Sequence, residues 1–364
     1  MNALAQDLRR FAEDHAAAAG EWDRAGALPD EVVRAVAARG WLGAAVPDTH
    51  GGRRLDPVSF GELCAGLGGV CSSLRGLLTV QSMVADVIAR RGEDHHRAWL
   101  PDLAAGRVIA ALAATEDGAG SDLAAVGTRV EPVPGGLRIS GRKRWVTFGE
   151  TAGLYLVLGV TPRGPTAVLV PRDAGGITVE PVRGQLGLRA AMIAHVTFDG
   201  VVVPAAHRLG AAGAGLTHVV AAALDHGRYS VAWGCVGMAR ACLDLSARHA
   251  VARSGRLAQH QLVRRLVTDM VAGVTTARLL CEHAAGHPRP DRTMLAKYVA
   301  ARTAAQVTRD AVQVLGAAGC APGHPAERFF RDAKLMQLIE GTDEICQTHV
   351  CDAEFRRHAT RGAA

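Results

Sequence analysis

Leu154-Tyr155-Leu156-Val157-Leu158-Gly159-Val160-Thr161-Pro162-Arg163-Gly164-Pro165-Thr166-Ala167-Val168-Leu169-Val170 contains two short apolar runs parted by a Pro- and Gly-bearing turn. Runs this short, bounded by helix breakers, predict strands. Similar runs at 137–140, 177–179 and 196–203 extend the pattern, so residues 109–209 are expected to form a compact sheet or barrel. Outward from this region the period changes. Leu4, Leu8 and Phe11, then Val32, Val33 and Val36, then Val84, Val87 and Ile88 recur at helical spacing, which predicts a helical domain over 1–108. Beyond the glycine-rich residues 210–215, long Ala-rich segments around 221–252, 261–285 and 292–315 have the length of antiparallel bundle helices, giving a third unit over 210–364. Helices, then strands, then helices is an α+β order and not the alternation of a parallel α/β sheet. Neither Gly-x-Gly-x-x-Gly after a strand nor a Gly-Lys-[Ser/Thr] loop is present, so a Rossmann or P-loop site is not expected.

The 364 residues are 49% hydrophobic and 21% charged, which excludes a disordered chain. The net charge of +6 comes from 41 basic and 35 acidic residues that are interspersed, and aromatics are only 4%, so nucleic-acid binding is not expected. Only Lys143, Lys297 and Lys334 are lysines, a bias of genomic base composition. The eight cysteines form no Cys-x-x-Cys pair or Cys/His zinc spacing and read as small buried apolar residues in a reduced compartment, with no metal site. The amino terminus lacks a signal-peptide pattern, and no apolar run approaches the ~20 residues that span a bilayer. A soluble cytoplasmic protein without a membrane partner is expected.

Three constellations can carry chemistry. Thr115-Glu116-Asp117-Gly118-Ala119-Gly120-Ser121-Asp122 has small residues that let backbone N–H groups approach a ligand, and Thr115 and Ser121 add hydroxyls; the same residues also suit a plain turn. Arg144-Trp145-Val146-Thr147-Phe148-Gly149 predicts a π surface and a hydroxyl on one side of an extended segment, fit for a planar heteroaromatic ring; a core Trp with a surface Thr is the alternative. In the third, residues 331–345, one helix is expected to stop at Gly341 and Thr342 or Asp343 to cap the next. Glu340 falls in the junction beside Leu338 and Ile339, a setting that raises a carboxyl pKa, and the helix start after it offers N–H groups to an anion such as a pyrophosphate. A solvated glutamate at a helix end is the other reading.

Together these stretches resemble the acyl-CoA dehydrogenase family. The resemblance covers nearly the whole chain: Val46-Pro47 with Gly51-Gly52, Thr115-Glu116 to Ser121-Asp122, Trp145-Val146-Thr147, Leu186-Gly187-Leu188-Arg189, and Phe198-Asp199-Gly200-Val201-Val202-Val203-Pro204. It continues through Gln313-Val314-Leu315-Gly316, Arg331-Asp332-Ala333-Lys334 and Glu340-Gly341-Thr342. The resemblance implies a helical domain, a central β-barrel or sheet domain and a carboxy-terminal four-helix bundle, with FAD held non-covalently between the last two. It implies that Thr115, Ser121, Trp145 and Thr147 meet the flavin. Gln313 and Gly316 resemble positions that reach the FAD of a neighbouring subunit, hence a homodimer or homotetramer. Thr342 and Glu344 fall at the nucleotide part of FAD, and Arg253 begins the segment that elsewhere reads Arg-x-x-Phe-Gly.

In the same frame Glu340 aligns with the catalytic base. Some members place that base on the first long bundle helix, where this chain has Gly227 before Arg228, which leaves Glu340 for the role. Ser121, Arg228 and Gly341 fall beside the substrate. The implied reaction removes a thioester α-proton to the carboxylate while the flavin takes hydride from the adjacent carbon. Three departures stand out. The segment after Arg253 is shortened and lacks its Phe, Phe148 stands where Asn is common, and Asp117 where Pro is frequent.

Arg75 and Thr79 lie four apart, on one helical face, in a stretch similar to the glutaryl-CoA dehydrogenase segment that meets a distal carboxylate. A guanidinium suits a carboxylate or polyhydroxyl end better than an alkyl tail; a surface arginine is the alternative. The polar-end hint and the composition resemble the acyl-carrier-protein-dependent dehydrogenases of polyketide clusters that make the methoxymalonyl extender unit. The substrate is then a short hydroxyacyl thioester on an acyl carrier protein, with the electron acceptor left open. Rival readings are an ordinary short-chain or glutaryl-type acyl-CoA dehydrogenase, a same-fold flavin monooxygenase or nitroalkane oxidase, and a flavin-free helical scaffold.

Overall fold

The structure, a computed structural model, describes residues 3–253 and 256–361; Met1, Asn2, Ser254, Gly255 and residues 362–364 lie outside the described residues. The helical periods of the first hundred residues become α1 (Ala3–His15), α2 (Ala19–Ala25), α3 (Asp30–Ala38), α4 (Pro57–Val70), α5 (Ser72–Arg91) and the short α6 (Asp94–Arg97) and α7 (Leu100–Ala104). Asp56 starts α4 by accepting the Ser59 N–H at 3.1 Å, with Pro57 in the first turn where its missing donor costs nothing. In contrast to the one-faced α1, α5 is buried on all sides from Ser72 to Ile88. It is the helix through which the first unit meets the rest of the molecule, packing on the first strand and on the first long bundle helix.

The middle region holds β1 (Ala110–Ala113), β2 (Arg129–Val133), β3 (Gly136–Val146), β4 (Leu154–Thr161), β5 (Gly164–Pro171), β6 (Ile177–Pro181), β7 (Ala194–Val203) and β8 (Arg208–Leu209). The order is β6-β7-β3-β2-β4-β5-β8, with β1 parallel to β4 off this path. The path does not return on itself, so of the two forms expected the region takes the open sheet. A π-helical turn, Gly215–Val220, leads into α8 (Ala221–Ala252), followed by α9 (Arg256–Gln259), α10 (Gln261–Gly286), α11 (Pro290–Leu315), α12 (Pro325–Met336) and α13 (Asp343–Arg361). Among them α8 packs on α10 and α11 and also on α4 and α5. Glycine makes the α4–α8 contact possible: a Cβ on Gly237 would stand 1.9 Å from the Ala65 carbonyl oxygen.

The three units are tied at α12. Arg331 reaches Asp23 of α2 at 2.6 Å and the Leu186 carbonyl at 3.1 Å, and Asp332 accepts the Leu188 N–H at 2.7 Å. The Arg331-Asp332 stretch is therefore a clamp that fixes the cleft between sheet and bundle. All eight cysteines are free, but only six are buried; Cys320 and Cys351 are exposed, which corrects the expectation of an all-core set. Among the described residues no group of His, Cys, Asp and Glu could hold a metal ion, and no helix is long and apolar enough to cross a membrane.

Candidate active site

The helix expected to run to Gly341 stops five residues sooner, at Met336. Residues 337–341 form a turn in which the Asp343 N–H donates to the Gln337 carbonyl at 3.0 Å and Gln337 Nε2 donates to Asp343 Oδ2 at 3.0 Å. Two successive residues of this turn have left-handed backbone, Glu340 (φ 56°) and Gly341 (φ 97°). Glycine takes this readily, whereas a glutamate pays roughly 1–2 kcal/mol. Two cations grip the strained turn. Arg228 Nε of α8 donates to the Glu340 carbonyl at 2.8 Å, and Lys297 Nζ of α11 donates to the Gly341 carbonyl at 2.6 Å. Thr342 then caps α13, its Oγ1 accepting the Ile345 N–H at 3.3 Å.

The Glu340 carboxyl is the product of this turn. Its Oε2 is buried with no hydrogen-bond partner. Burial pushes the carboxyl up to about 7, against the opposing pull of Arg228, Arg75 and Lys297. A carboxyl poised there can exchange a proton near neutral pH. Leu338, expected as an apolar neighbour, is exposed and does not supply the burial. The carboxyl faces Gly227 and Met83: a Cβ on Gly227 would stand 2.7 Å from Glu340 Oε2 and 2.8 Å from Met83 Sδ. The absence of a side chain at 227 is what admits the carboxyl.

Below Glu340, α5 and α8 run antiparallel with a readable register. Met83 faces Gly227, Thr79 Oγ1 meets Ser230 Oγ at 2.7 Å, and Arg75 lies against Gly234, where a Cβ would stand 2.9 Å from its Cδ and Nε. Arg75 is not at the surface; only 2% of it is exposed. Its Nη1 donates to Thr79 Oγ1 at 3.0 Å and its Nη2 to Met336 Sδ at 3.1 Å, and among the described residues it has no salt bridge. A buried guanidinium served by a hydroxyl and a thioether lacks the anion that would offset its desolvation.

The sheet supplies the opposite wall. Thr115 is half-buried and its carbonyl accepts the Arg144 N–H at 2.8 Å, while Asp117 pairs with Arg144 at 2.9 Å. Ser121 is exposed, and Cβ atoms on Gly118 and Gly120 would meet nothing within 4 Å. Trp145 is 54% exposed, its ring perpendicular to that of His195 at 5.3 Å between centroids. Contrary to expectation its backbone is not extended: φ is 56°, Phe148 has φ 55°, and the β3–β7 pairing slips between Lys143 and Val146. The turn, not strand alternation, orients the indole and Thr147. Thr147 and Phe148 in turn abut α5, 4.0 and 3.9 Å from where a Cβ on Gly76 would sit. An open indole face, hydroxyls and unfilled space beside glycines on one wall, with an orphaned carboxyl oxygen in the other, fit a flavin between them.

The other expected residues lie at helix ends. Arg253 is exposed at the end of α8; Gln313 and Gly316 (φ 61°) are exposed at the end of α11. Glu344 is exposed in the first turn of α13, its pKa lowered by the Thr342 hydroxyl. Sequence reasoning missed Met83, Ser230 and Lys297. The one signal available for Lys297 was its rarity in a chain that otherwise uses arginine.

Comparison with known proteins follows the same division. The chain matches "Acyl-CoA dehydrogenase, N-terminal domain" over 1–107, "Acyl-CoA dehydrogenase, middle domain" over 111–201 and "Acyl-CoA dehydrogenase, C-terminal domain" over 213–353. It is 31% identical to the probable medium-chain specific acyl-CoA dehydrogenase 2 of Caenorhabditis briggsae, across 90% of this chain and 83% of that one. The structure of FkbI, for biosynthesis of the methoxymalonyl extender unit of the Fk520 polyketide, is 40% identical with a TM-score of 0.90, covering 96% of this chain and 98% of that one. A glutaryl-coenzyme A dehydrogenase in complex with glutaryl-CoA is 26% identical with a TM-score of 0.92, covering 97% and 94%.

Proposed function

The chain belongs to the acyl-CoA dehydrogenase family, and from that membership we propose that it oxidises a short acyl thioester with Glu340 as the base that takes the α-proton. The reaction class is acyl-CoA dehydrogenase-type oxidation by an FAD-dependent oxidoreductase. The observation that carries the role of Glu340 is its buried, unpartnered Oε2 opposite Gly227.

FAD, when bound, supplies the hydride acceptor for the carbon next to the one deprotonated. Thr115, Ser121, Trp145 and Thr147 would hold its ring system from the sheet side, and Thr342 and Glu344 its nucleotide part from the bundle side. Arg228 holds the turn that aims the base, and Met83 and Gly227 leave room for the carboxyl while keeping water from it. Exposed Gln313 and Gly316, with exposed Leu262, Val271 and Leu279 on α10, support a homodimer or homotetramer in which these faces meet a second subunit.

The substrate end is read from Arg75. Thr79 lies one helical turn, about 6 Å, below Met83, so the hydroxyls and guanidinium meet the far end of a short acyl group. An unpaired buried guanidinium calls for a carboxylate or a polyhydroxyl end and repels an alkyl tail. With the likeness to FkbI, this supports a hydroxyacyl group on an acyl carrier protein, as in methoxymalonyl extender-unit biosynthesis. Anaerobic bleaching of the bound flavin tests the reading: carrier-bound hydroxyacyl groups are expected to bleach it faster than glutaryl-CoA, and both faster than butyryl-CoA. Fastest bleaching by butyryl-CoA overturns the polar-end assignment, and protein that cannot take up FAD overturns the whole.

A further inference from the structure

Three lysines stand among the chain's 41 basic side chains, and two of them, Lys143 and Lys297, are completely buried. Lys143 has an evident reason, an ion pair with Glu116 at 2.6 Å. Lys297 has no ion pair among the described residues; its hydrogen bond goes to the Gly341 carbonyl. A charge buried for packing alone would be displaced by methionine or leucine, because an ammonium held without a carboxylate is costly. What the ammonium does is grip the peptide next to Glu340, at the second of two left-handed residues. Lysine's ammonium meets the single carbonyl oxygen as a compact point charge. Arg228 grips the preceding carbonyl from a different helix. The strained turn is thus stapled to α8 and to α11 at once, and the direction of its carboxyl is set by both.

We infer that Lys297 is a positioning residue for proton abstraction, resting on the reading of Glu340 as the base: it fixes the Gly341 peptide and thereby aims the Glu340 carboxyl at the substrate. The charged groups acting on that carboxyl are Arg228 from α8, Arg75 from α5 and Lys297 from α11, and those facing Lys297 itself are Cys346 and Asp343 from α13, Cys235 from α8 and Glu340.

The test uses FAD-loaded wild type, Lys297→Met, Lys297→Gln and Glu340→Gln. Four quantities are read: flavin content, anaerobic bleaching by saturating glutaryl-CoA and butyryl-CoA, KM in steady-state turnover, and the titration of the Glu340 carboxyl by glutamate-specific 13C NMR. Lys297→Met is expected to keep its flavin and to bleach about 100-fold more slowly per bound flavin, the scale of a 1 Å misplacement. Its KM should stay within about threefold of wild type. The Glu340 midpoint should move up by about one unit as a neighbouring cation is lost. Lys297→Gln, which keeps a neutral donor, should recover about tenfold over Met. Wild-type bleaching per flavin with an unmoved midpoint in Lys297→Met overturns the inference and leaves Lys297 a packing residue. If Lys297→Met does not fold, Lys297→Gln decides by the same two readouts against wild type. Undiminished bleaching by Glu340→Gln removes the base assignment itself, and the inference falls with it.

Discussion

Glu116 and Glu340 are two shielded carboxyls in one molecule, each near a buried lysine, and they are treated in opposite ways. Glu116 is fully satisfied: it accepts from Lys143 Nζ at 2.6 Å, Thr128 Oγ1 at 2.6 Å, Thr128 N at 2.9 Å and Gly127 N at 2.7 Å. Burial alone would raise its pKa, but these donors together outweigh it and hold the carboxyl below the usual glutamate value. Glu340 has its lysine only one residue away, yet that lysine bonds the Gly341 carbonyl, and Oε2 has no donor. Its pKa rises toward neutrality for want of what Glu116 has. A carboxylate that bonds everything around it builds structure; one left short of donors is free to take a proton.

Breaking either side of this contrast should have a different signature. Glu340→Gln removes the proposed proton acceptor and is expected to cost about 10²–10⁴-fold in kcat, with the flavin retained and the thermal midpoint nearly unmoved, as checked by steady-state assay, absorption spectrum and thermal unfolding. Glu116→Ala should instead leave Lys143 buried without its anion and cost about 3–5 kcal/mol of stability, read by urea unfolding; the double variant with Lys143→Met should recover much of it. Gly227→Ala brings a methyl against the Glu340 carboxyl. It should lower kcat about tenfold while changing stability by less than about 1 kcal/mol, because alanine's helix preference offsets the crowding.

The smallest effect expected is in the acid response of stability. Glu116 has a depressed folded-state pKa, so its contribution is present above the ordinary glutamate value of 4.5 and is lost as pH falls through the folded value. Glu340 has a raised one. Its effect is the reverse, full below 4.5 and lost as pH rises through about 7. Urea midpoints measured across pH should show a smaller acid-side loss in Glu116→Ala than in the wild type.

Much of the architecture was legible because it rests on local pattern. The runs of β4, β5 and β7 and the Ala-rich helices announce themselves by period and punctuation. The strands that were missed lack their own signal. β1 is Ala-Ala-Leu-Ala and becomes a strand through parallel pairing with β4. β2 carries Pro132, tolerated where the strand pairs with β3 alone. Sequence places Glu340 in a junction, but the helix before it reads too long because Leu338 and Ile339 continue the apolar rhythm and Gly341 resembles a helix stop; the positive φ of Gly341 instead serves the turn. The Thr79–Ser230 pair spans 151 positions of sequence and the Lys297–Gly341 bond 44, separations that no spacing rule connects.

The account turns on whether the Glu340 carboxyl is left poised by its surroundings. The direct measurement is a pH titration of the FAD-loaded enzyme labelled with 13C at the glutamate carboxyls, with Glu340→Gln identifying the signal by its loss. The missing resonance is expected to titrate near 7; a resonance that titrates near the ordinary glutamate value of 4.5 would contradict the account.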